Sequence, residues 1–439
     1  MKKILYSLLI FLLIPLFSNA AMRLELTQGI DSAIPIAVVP FSAKGFDTGL
    51  TDVSDVIQQD LHNSGQFRPF DKTKMVQFPS TPAKLDRTYW KSTRVNYVVV
   101  GQIEALPGEH YQVTFSLVNL HASLIKGAAA ANQGVLVTQN FTTNASGLRI
   151  VAHHIADIIY EKLLKQRGIF STKIMYVLVK HESSYQLQVA DYDGYNPRTI
   201  LTSQRPIISP TWSPDGKSIA YVSFEEGNSA IYLHTLATGE RKLISNFAGI
   251  NGAPAFSPDG SKLALVLTIS GMPNIYIKDL NTGNLKRVTK DEAIDTEPVW
   301  MPEGKSLLYT SDRGGSPQVY QIDLTSGKNT RVTYTGKYNA RPSLTADAKD
   351  LVLLHATDAG VYSIAIQNFL TKRVQILAQP PYAQSPSVAP NGAMILYSWR
   401  DKKETFLLGV VSSDGKIQLN LPSPEGSIRE PAWSPFLTR

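Results

Sequence analysis

Ser209-Pro-Thr-Trp-Ser-Pro-Asp-Gly-Lys-Ser-Ile-Ala-Tyr-Val222 decides the fold, because its frame recurs along the chain. It returns as Ala253-Pro-Ala-Phe-Ser-Pro-Asp-Gly-Ser-Lys-Leu-Ala-Leu-Val266, then as Glu297-Pro-Val-Trp-Met-Pro-Glu-Gly-Lys-Ser-Leu-Leu-Tyr-Thr310. Weaker copies begin at Arg341-Pro-Ser-Leu-Thr-Ala-Asp-Ala348 and Ser385-Pro-Ser-Val-Ala-Pro-Asn-Gly392, and a truncated one is Glu430-Pro-Ala-Trp-Ser-Pro435. The leading prolines, Pro210, Pro254, Pro298, Pro342, Pro386 and Pro431, are spaced 44, 44, 44, 44 and 45 residues apart. A fixed period of that length marks a repeat architecture.

Each repeat reads as four strands. Ser-Pro-Asp-Gly is a hairpin turn, with proline presetting one corner and glycine accepting a positive φ at the next. An alternating strand such as 262–268 follows, then a third such as 274–279. A second turn carries Thr238-Gly239, Thr282-Gly283 or Ser326-Gly327, and a fourth strand such as 285–289 closes the unit. Four strands in about 44 residues make one blade of a β-propeller. Six leading prolines give six innermost strands, but the last copy ends before three more strands can follow. The missing outer strands are supplied upstream by 173–179, 186–191 and 198–203. The predicted fold is therefore a six-bladed propeller over 169–439, closed by a C-terminal strand at 431–435. Closure of this kind removes exposed sheet edges. Ala346-Asp347-Ala348 predicts a less ideal turn in the fourth repeat, without loss of the blade. Trp212, Trp300 and Trp433 are expected in blade cores.

Upstream, the periodicity changes. Residues 22–165 alternate strands with helices. Arg23 to Thr27 reads as a strand with Met22, Leu24 and Leu26 on one face, and 35–41 and 96–103 read as buried apolar strands. Residues 52–62 form a helix with Val53, Val56, Ile57 and Leu61 on one side. The second long helix spans 148–166, with Val151, Ile155, Ile158 and Lys162 as its stripe and Gly168 as its stop. The reading is a mixed sheet with packed helices, an α/β domain over 21–168.

Lys2 and Lys3, an apolar run from Ile4 to Phe17, and Ser18-Asn19-Ala20 read as a signal peptide cleaved after Ala20, with Ala21 the alternative. The run is too short to cross a bilayer, which needs about 20 residues, so no membrane span is expected in the mature chain. Its removal takes the net charge from +7 to +5. That charge, without a Lys/Arg cluster, argues against nucleic acid. The chain is 43% hydrophobic and 18% charged, which excludes disorder, and it has no cysteine, which excludes disulfides and thiolate chemistry.

Catalytic motifs are missing. Asp215-Gly-Lys-Ser218 and Gly304-Lys-Ser306 lack the upstream glycine of a phosphate-binding loop and read as hairpin turns. No nucleophile elbow or His-Glu-x-x-His helix occurs. The adjacent His153 and His154 cannot face one metal as an i, i+4 pair would; one boundary and one exposed histidine are expected. Asp191-Tyr-Asp-Gly194 lacks the distal glutamate of a calcium loop and reads as a turn. No cofactor or metal is expected, and binding is favoured over catalysis. In a propeller, the connections from each outer strand to the next inner strand gather on one face around the channel. Here they are 204–209, 247–253, 290–297, 335–341, 379–385 and 424–430. Asn251, Thr296, Glu297, Tyr338, Asn339, Arg341, Tyr382 and Arg429 are exposed-type residues on them, and loops on a rigid scaffold are where binding concentrates. A glycan-binding propeller, using Tyr338 and Tyr382, and a propeller-gated hydrolase are the alternatives.

The chain resembles the TolB family of the Tol-Pal system of Gram-negative bacteria. The resemblance rests on Arg23-Leu-Glu-Leu-Thr-Gln-Gly29, Pro35-Ile-Ala-Val-Val-Pro-Phe41, Asp60-Leu-His-Asn-Ser-Gly65 and Asp191-Tyr-Asp-Gly-Tyr-Asn196. In the propeller it rests on Asn251-Gly-Ala-Pro-Ala-Phe-Ser-Pro-Asp-Gly-Ser-Lys262 and Thr296-Glu-Pro298. It implies a periplasmic adaptor whose channel-mouth face docks the lipoprotein Pal and whose N-terminal segment recruits TolA. It further implies support of outer-membrane integrity and invagination at division, and exploitation of the same face by some bacteriocins. By position, Asn251, Ala253 and Thr296 match residues at the Pal face, while Ile250 stands where some relatives carry histidine. The TolA segment maps to Met22, Arg23, Leu24, Glu25 and Leu26. Its alternation suits addition to a partner's sheet edge or folding back onto its own domain.

Overall fold

The computed structural model describes residues 23–26, 32–44, 51–122, 133–181, 183–422 and 424–437. The expected signal peptide, Met22 and residues 27–29 lie outside them.

Six four-stranded antiparallel sheets form the propeller. Blade one is Ile207–Trp212, Ser218–Ser223, Ala230–Thr235 and Arg241–Ser245. Blades two to five repeat that plan, from Asn251–Phe256, Asp295–Trp300, Tyr338–Leu344 and Gln384–Val388 outward. The sixth joins the two ends of the repeat region: Ser427–Trp433 pairs antiparallel with Lys173–His181, followed by Ser184–Asp191 and Arg198–Ser203. The closing strand thus starts earlier than 431 and ends at Trp433. Apolar residues alternate inward along the strands, so Trp212, Trp300 and Trp433 are all buried.

The turns follow from their chemistry. In Ser257-Pro-Asp-Gly260 the Ser257 hydroxyl donates to Asp259 (2.6 Å), the Asp259 carboxylate accepts from the Ser261 amide (3.0 Å), and Gly260 takes φ +72°. Blade four keeps this turn without glycine. Ala348 adopts φ 51°, and its amide still donates to Thr345 (2.8 Å).

The N-terminal domain carries a mixed sheet. Besides β1 (Arg23–Leu26), its strands are β2 (Ile34–Val38), β3 (Ser42–Lys44), β4 (Phe67–Pro69), β5 (Tyr97–Leu106), β6 (His110–Asn119) and β7 (Val135–Asn144). The order is β4-β2-β5-β6-β7, with β3 also on β5; β2, β3 and β4 run parallel to their partners and β5-β6-β7 antiparallel. Helix α1 (Val53–Asn63) starts at Asp52, whose carboxylate accepts from the Ser54 amide (2.9 Å) and caps the free N–H groups. A short α2 (Arg87–Ser92) and the long α3 (Leu148–Leu164) follow. α3 stops at Lys165, left-handed at φ 60°, rather than at Gly168. Its buried stripe is Leu148, Ala152, Ile155, Ala156 and Ile159; Val151 and Ile158 are half-buried and Lys162 is exposed. One continuous apolar core runs from β2, α1 and α3 through Ile169 and Phe170 into blades five and six, ending on Leu396, Val410 and Trp433.

β1 does not join the N-terminal sheet. It pairs antiparallel with Ile417–Asn420, the outer strand of blade five, which becomes five-stranded. The sequence pattern that marks an edge-seeking strand carries no information about which edge receives it.

Candidate functional site

Strand direction alternates within a blade. The loops that enter each inner strand, and the hairpins between second and third strands, therefore share one face. At its centre every inner strand bulges at the same place: Ser209, Ala253, Glu297, Arg341, Ser385 and Glu430 all take φ between 44° and 55°. Each precedes a proline, and the strand register shifts there in every blade. A bulge at a fixed offset turns six equivalent residues toward one axis. They line a channel of about 380 Å³.

Arg341 dominates that ring. Its guanidinium lies 3.3 Å from Glu297 and 3.2 Å from Glu430, and donates to the Ser385 hydroxyl (2.7 Å). The Glu297 carboxylate also accepts from the Arg341 amide (2.8 Å) and the Thr310 hydroxyl (2.7 Å). Burial opposes charge on Arg341, but Glu430 and Glu297 outweigh it and raise its pKa. Arg341 and Glu297 are thus channel residues that tie blades together, not rim residues. Ala253 sits in the same ring.

Asn251 and Asn339 also depart from the exposed placement read from sequence: both are fully buried. They act as loop clamps. The Asn251 carbonyl accepts from Ser245 (2.6 Å) and the Phe247 amide (3.0 Å), while its NH2 donates to the Phe247 carbonyl (2.7 Å). Asn339 repeats this, donating to Thr335 O (2.9 Å) and Gln318 (2.9 Å) and meeting His355 Nδ1 (2.9 Å). In blade three Asp295 takes the position and holds Arg313 (3.0 Å). In blades two, three and four a buried polar side chain at the start of the inner strand thus braces the loops around it.

The outward surface is what these clamps present. Tyr382 is 63% exposed, with the Arg400 guanidinium 3.5 Å from its ring centre. Ile250 is exposed, Thr296 half-buried, and Tyr338 half-buried against the Tyr362 ring at 5.3 Å. Arg429 is exposed and stacks over Phe406 at 4.8 Å. Sequence reading missed their apolar neighbours. Phe247, Ile269, Met272, Ile294, Tyr334 and Val361 are exposed on loops of this face, and Tyr362 is exposed at the start of the strand Tyr362–Asn368. The signal for them was available: large apolar residues inside connecting loops and hairpins, where turn chemistry does not need them.

Six closed blades with a polar axial ring and exposed apolar residues on one loop face define the molecule as a β-propeller protein. Family comparison makes it specific. The model described as "TolB beta propeller domain" matches residues 160–437, and "TolB amino-terminal domain" matches residues 22–123. A Tol-Pal system protein TolB from Coxiella burnetii is 53% identical over 99% of this chain and 98% of that protein. One from Pseudomonas aeruginosa is 51% identical over 96% of each. The crystal structure of TolB from Acinetobacter baumannii superposes with a TM-score of 0.84 at 40% identity, covering 95% of this chain and 100% of that one. The chain belongs to the TolB family.

A second cluster lies where the N-terminal domain meets blade six. Asp60, Arg149 and His153 from the helices meet Asp191, at the end of Ser184–Asp191, and Tyr192 and Asp193 from the turn after it. Arg149 pairs with Asp193, and Asp60 accepts from Tyr192, so these are ion-paired and hydrogen-bonded groups. His153 is 3% exposed, against the boundary or surface position expected for it, and His154 is half-buried against Phe141. Among the described residues no helix is long and apolar enough to cross a membrane.

Proposed function

We propose that this chain is a periplasmic scaffold of the Tol-Pal system, docking the lipoprotein Pal on its loop face and TolA on its N-terminal segment. In this reading it is an adaptor rather than an enzyme, and it supports outer-membrane integrity and invagination during division. The observation that carries the reading is the loop face itself. Its exposed apolar residues stand on loops that buried Asn251, Asp295 and Asn339 hold in place. Exposed apolar residues grouped on one face mark a protein-docking site, and tyrosine and arginine beside them are favoured anchors. The proposed Pal contacts are Thr296, Tyr338, Tyr382 and Arg429. Asn251, Asn339, Ala253, Glu297 and Arg341 support them from beneath. Bacteriocins that exploit this system would use the same surface.

The N-terminal segment, Met22 to Leu26, is the proposed TolA site. Four residue pairs hold Arg23–Leu26 on blade five, and a strand held by backbone pairing is one that another sheet edge can take over. Exchange between the two edges would couple TolA capture to the state of the propeller. The experiment is a pull-down with purified TolA and Pal domains. Deleting residues 21–29 should abolish TolA capture and leave Pal capture intact. Retained TolA capture contradicts the reading, and retention of the chain on peptidoglycan without Pal would favour the glycan-binding alternative.

A further inference from the structure

The joint between the two domains is largely apolar, with hydrogen bonds linking Gln166 and Arg167 to Asn391 and Leu437 at one end and a buried charged cluster at the other. There, Asp60 of α1 and Arg149 and His153 of α3 face Asp191, Tyr192 and Asp193 of the propeller, with Lys173 at the flank. His153 Nδ1 lies 2.7 Å from Asp60 Oδ2, and the Tyr192 hydroxyl donates to Asp60 Oδ1 (2.7 Å). On the other side of the ring, His153 Nε2 is buried without a hydrogen-bond partner, 4.0 Å from Asp193 Oδ2. The Tyr192 ring packs edge-on against the imidazole at 5.5 Å.

Charge decides what this arrangement wants. Asp60, Asp191 and Asp193 bring three carboxylates, and Arg149 and Lys173 bring two permanent cations. An imidazolium faces Asp60 on one side and Asp193 on the other; a neutral imidazole leaves these buried carboxylates with less compensation, which is costly. We propose that His153 is a proton-operated latch between the two domains: protonated, it ties Asp60 of the N-terminal domain to Asp193 of the propeller; deprotonated, it loosens their docking. The latch belongs to the fold's own joint and does not depend on which partner the loop face takes.

The titration of the surrounding groups agrees. Burial alone would lower the His153 pKa, but Asp60 and Asp193 outweigh it, against Arg149, and the net shift is upward from 6.5. A histidine raised in the folded state contributes stability that is complete below its unfolded pKa and lost as pH rises through its folded one. Of the neighbours, Asp157 titrates at the low end of the histidine window. Burial raises Asp157, on the same helix, to about 6, and raises Asp193; burial opposes but Lys173 lowers Asp191; burial raises Tyr192 far above its usual range. Burial lowers His62, His234 and His355, so their windows lie below 6.5.

The test is hydrogen exchange of the full chain from about pH 6 to about pH 9, corrected for intrinsic rates, with blades two and three as internal reference. The opening equilibrium of α1 and α3 should rise on the order of tenfold per pH unit above the ordinary histidine range until the folded pKa is passed. Lys262–Leu267 should not follow. His153→Gln should remove this pH dependence, and Asp193→Asn, which keeps the imidazole, should move it to lower pH. The proposal is overturned if the joint tracks the blades across the range or if His153→Gln keeps the wild-type profile. It is overturned equally if chelation opens the joint and zinc restores it, because a metal would then be the latch.

Discussion

Deleting residues 431–439 removes the second half of the strand that closes the propeller, and the structure allows the loss to be sized. Trp433 is 6% exposed, and emptying a buried tryptophan site costs about 3–5 kcal/mol. Four of the hydrogen bonds lost are Trp433 N to Ser387 (2.9 Å), Trp433 Nε1 to Thr172 (2.8 Å), Ser434 N to Lys173 O (2.9 Å) and Lys173 N to Ser434 (3.0 Å). At about 1 kcal/mol each, they bring the total to about 7–9 kcal/mol. The tail also stacks Phe436 under Arg167 at 4.0 Å, so the link between α3 and blade six loosens too. A loss of that size rivals the whole stability of a domain, about 5–15 kcal/mol. The melting temperature should fall by about 10 °C or more. Calorimetry should be paired with hydrogen exchange on Lys173–His181, which loses its inner partner. Trp300→Ala is the matched control: it is equally buried, its indole donates to Ala255 O (3.0 Å), and it lies in an uninterrupted blade. It should cost about 3–5 kcal/mol without exposing Lys173–His181. A truncated chain that melts within about 2 °C of the full one would refute closure as a source of stability.

Asn251→Ala should cost about 1–3 kcal/mol, since it strands Ser245 and the Phe247 backbone, and should weaken Pal binding measured by calorimetry although the side chain is buried. Arg341→Ala leaves Glu297 and Glu430 facing the channel. With the side chain a third exposed, thermal melts should show a loss of about 1–2 kcal/mol.

The propeller was legible because the repeat is covalent information: the prolines, the turns and the two displaced ends count the blades without any contact being known. The α/β domain was legible from periodicity, although Lys165 ends α3 where Gly168 was the obvious stop. What could not be read depends on contacts between distant segments. β1 shows its strand character but not the blade-five edge that receives it. Asn251 and Asn339 look like surface residues, and only the 44-residue spacing they share with Asp295 hints at a common structural task. His153 lies on the flank of α3 with Arg149 and Tyr160, which reads as a boundary position in the sequence; its burial comes from Tyr192 and Asp193, which the sequence does not place beside it. The Asp191-Tyr-Asp-Gly194 turn is a turn, as expected, and its carboxylates are spent on the domain joint.

The central claim is that the loop face docks Pal, and calorimetry of the full chain against the periplasmic domain of Pal tests it most directly. Tyr382→Arg with Ile294→Arg should weaken binding by at least about tenfold, roughly 1.4 kcal/mol. Leu370→Arg, at a 90% exposed position in a turn on the opposite face, should leave affinity unchanged. Full affinity in the double variant, or a loss in Leu370→Arg alone, would contradict the account.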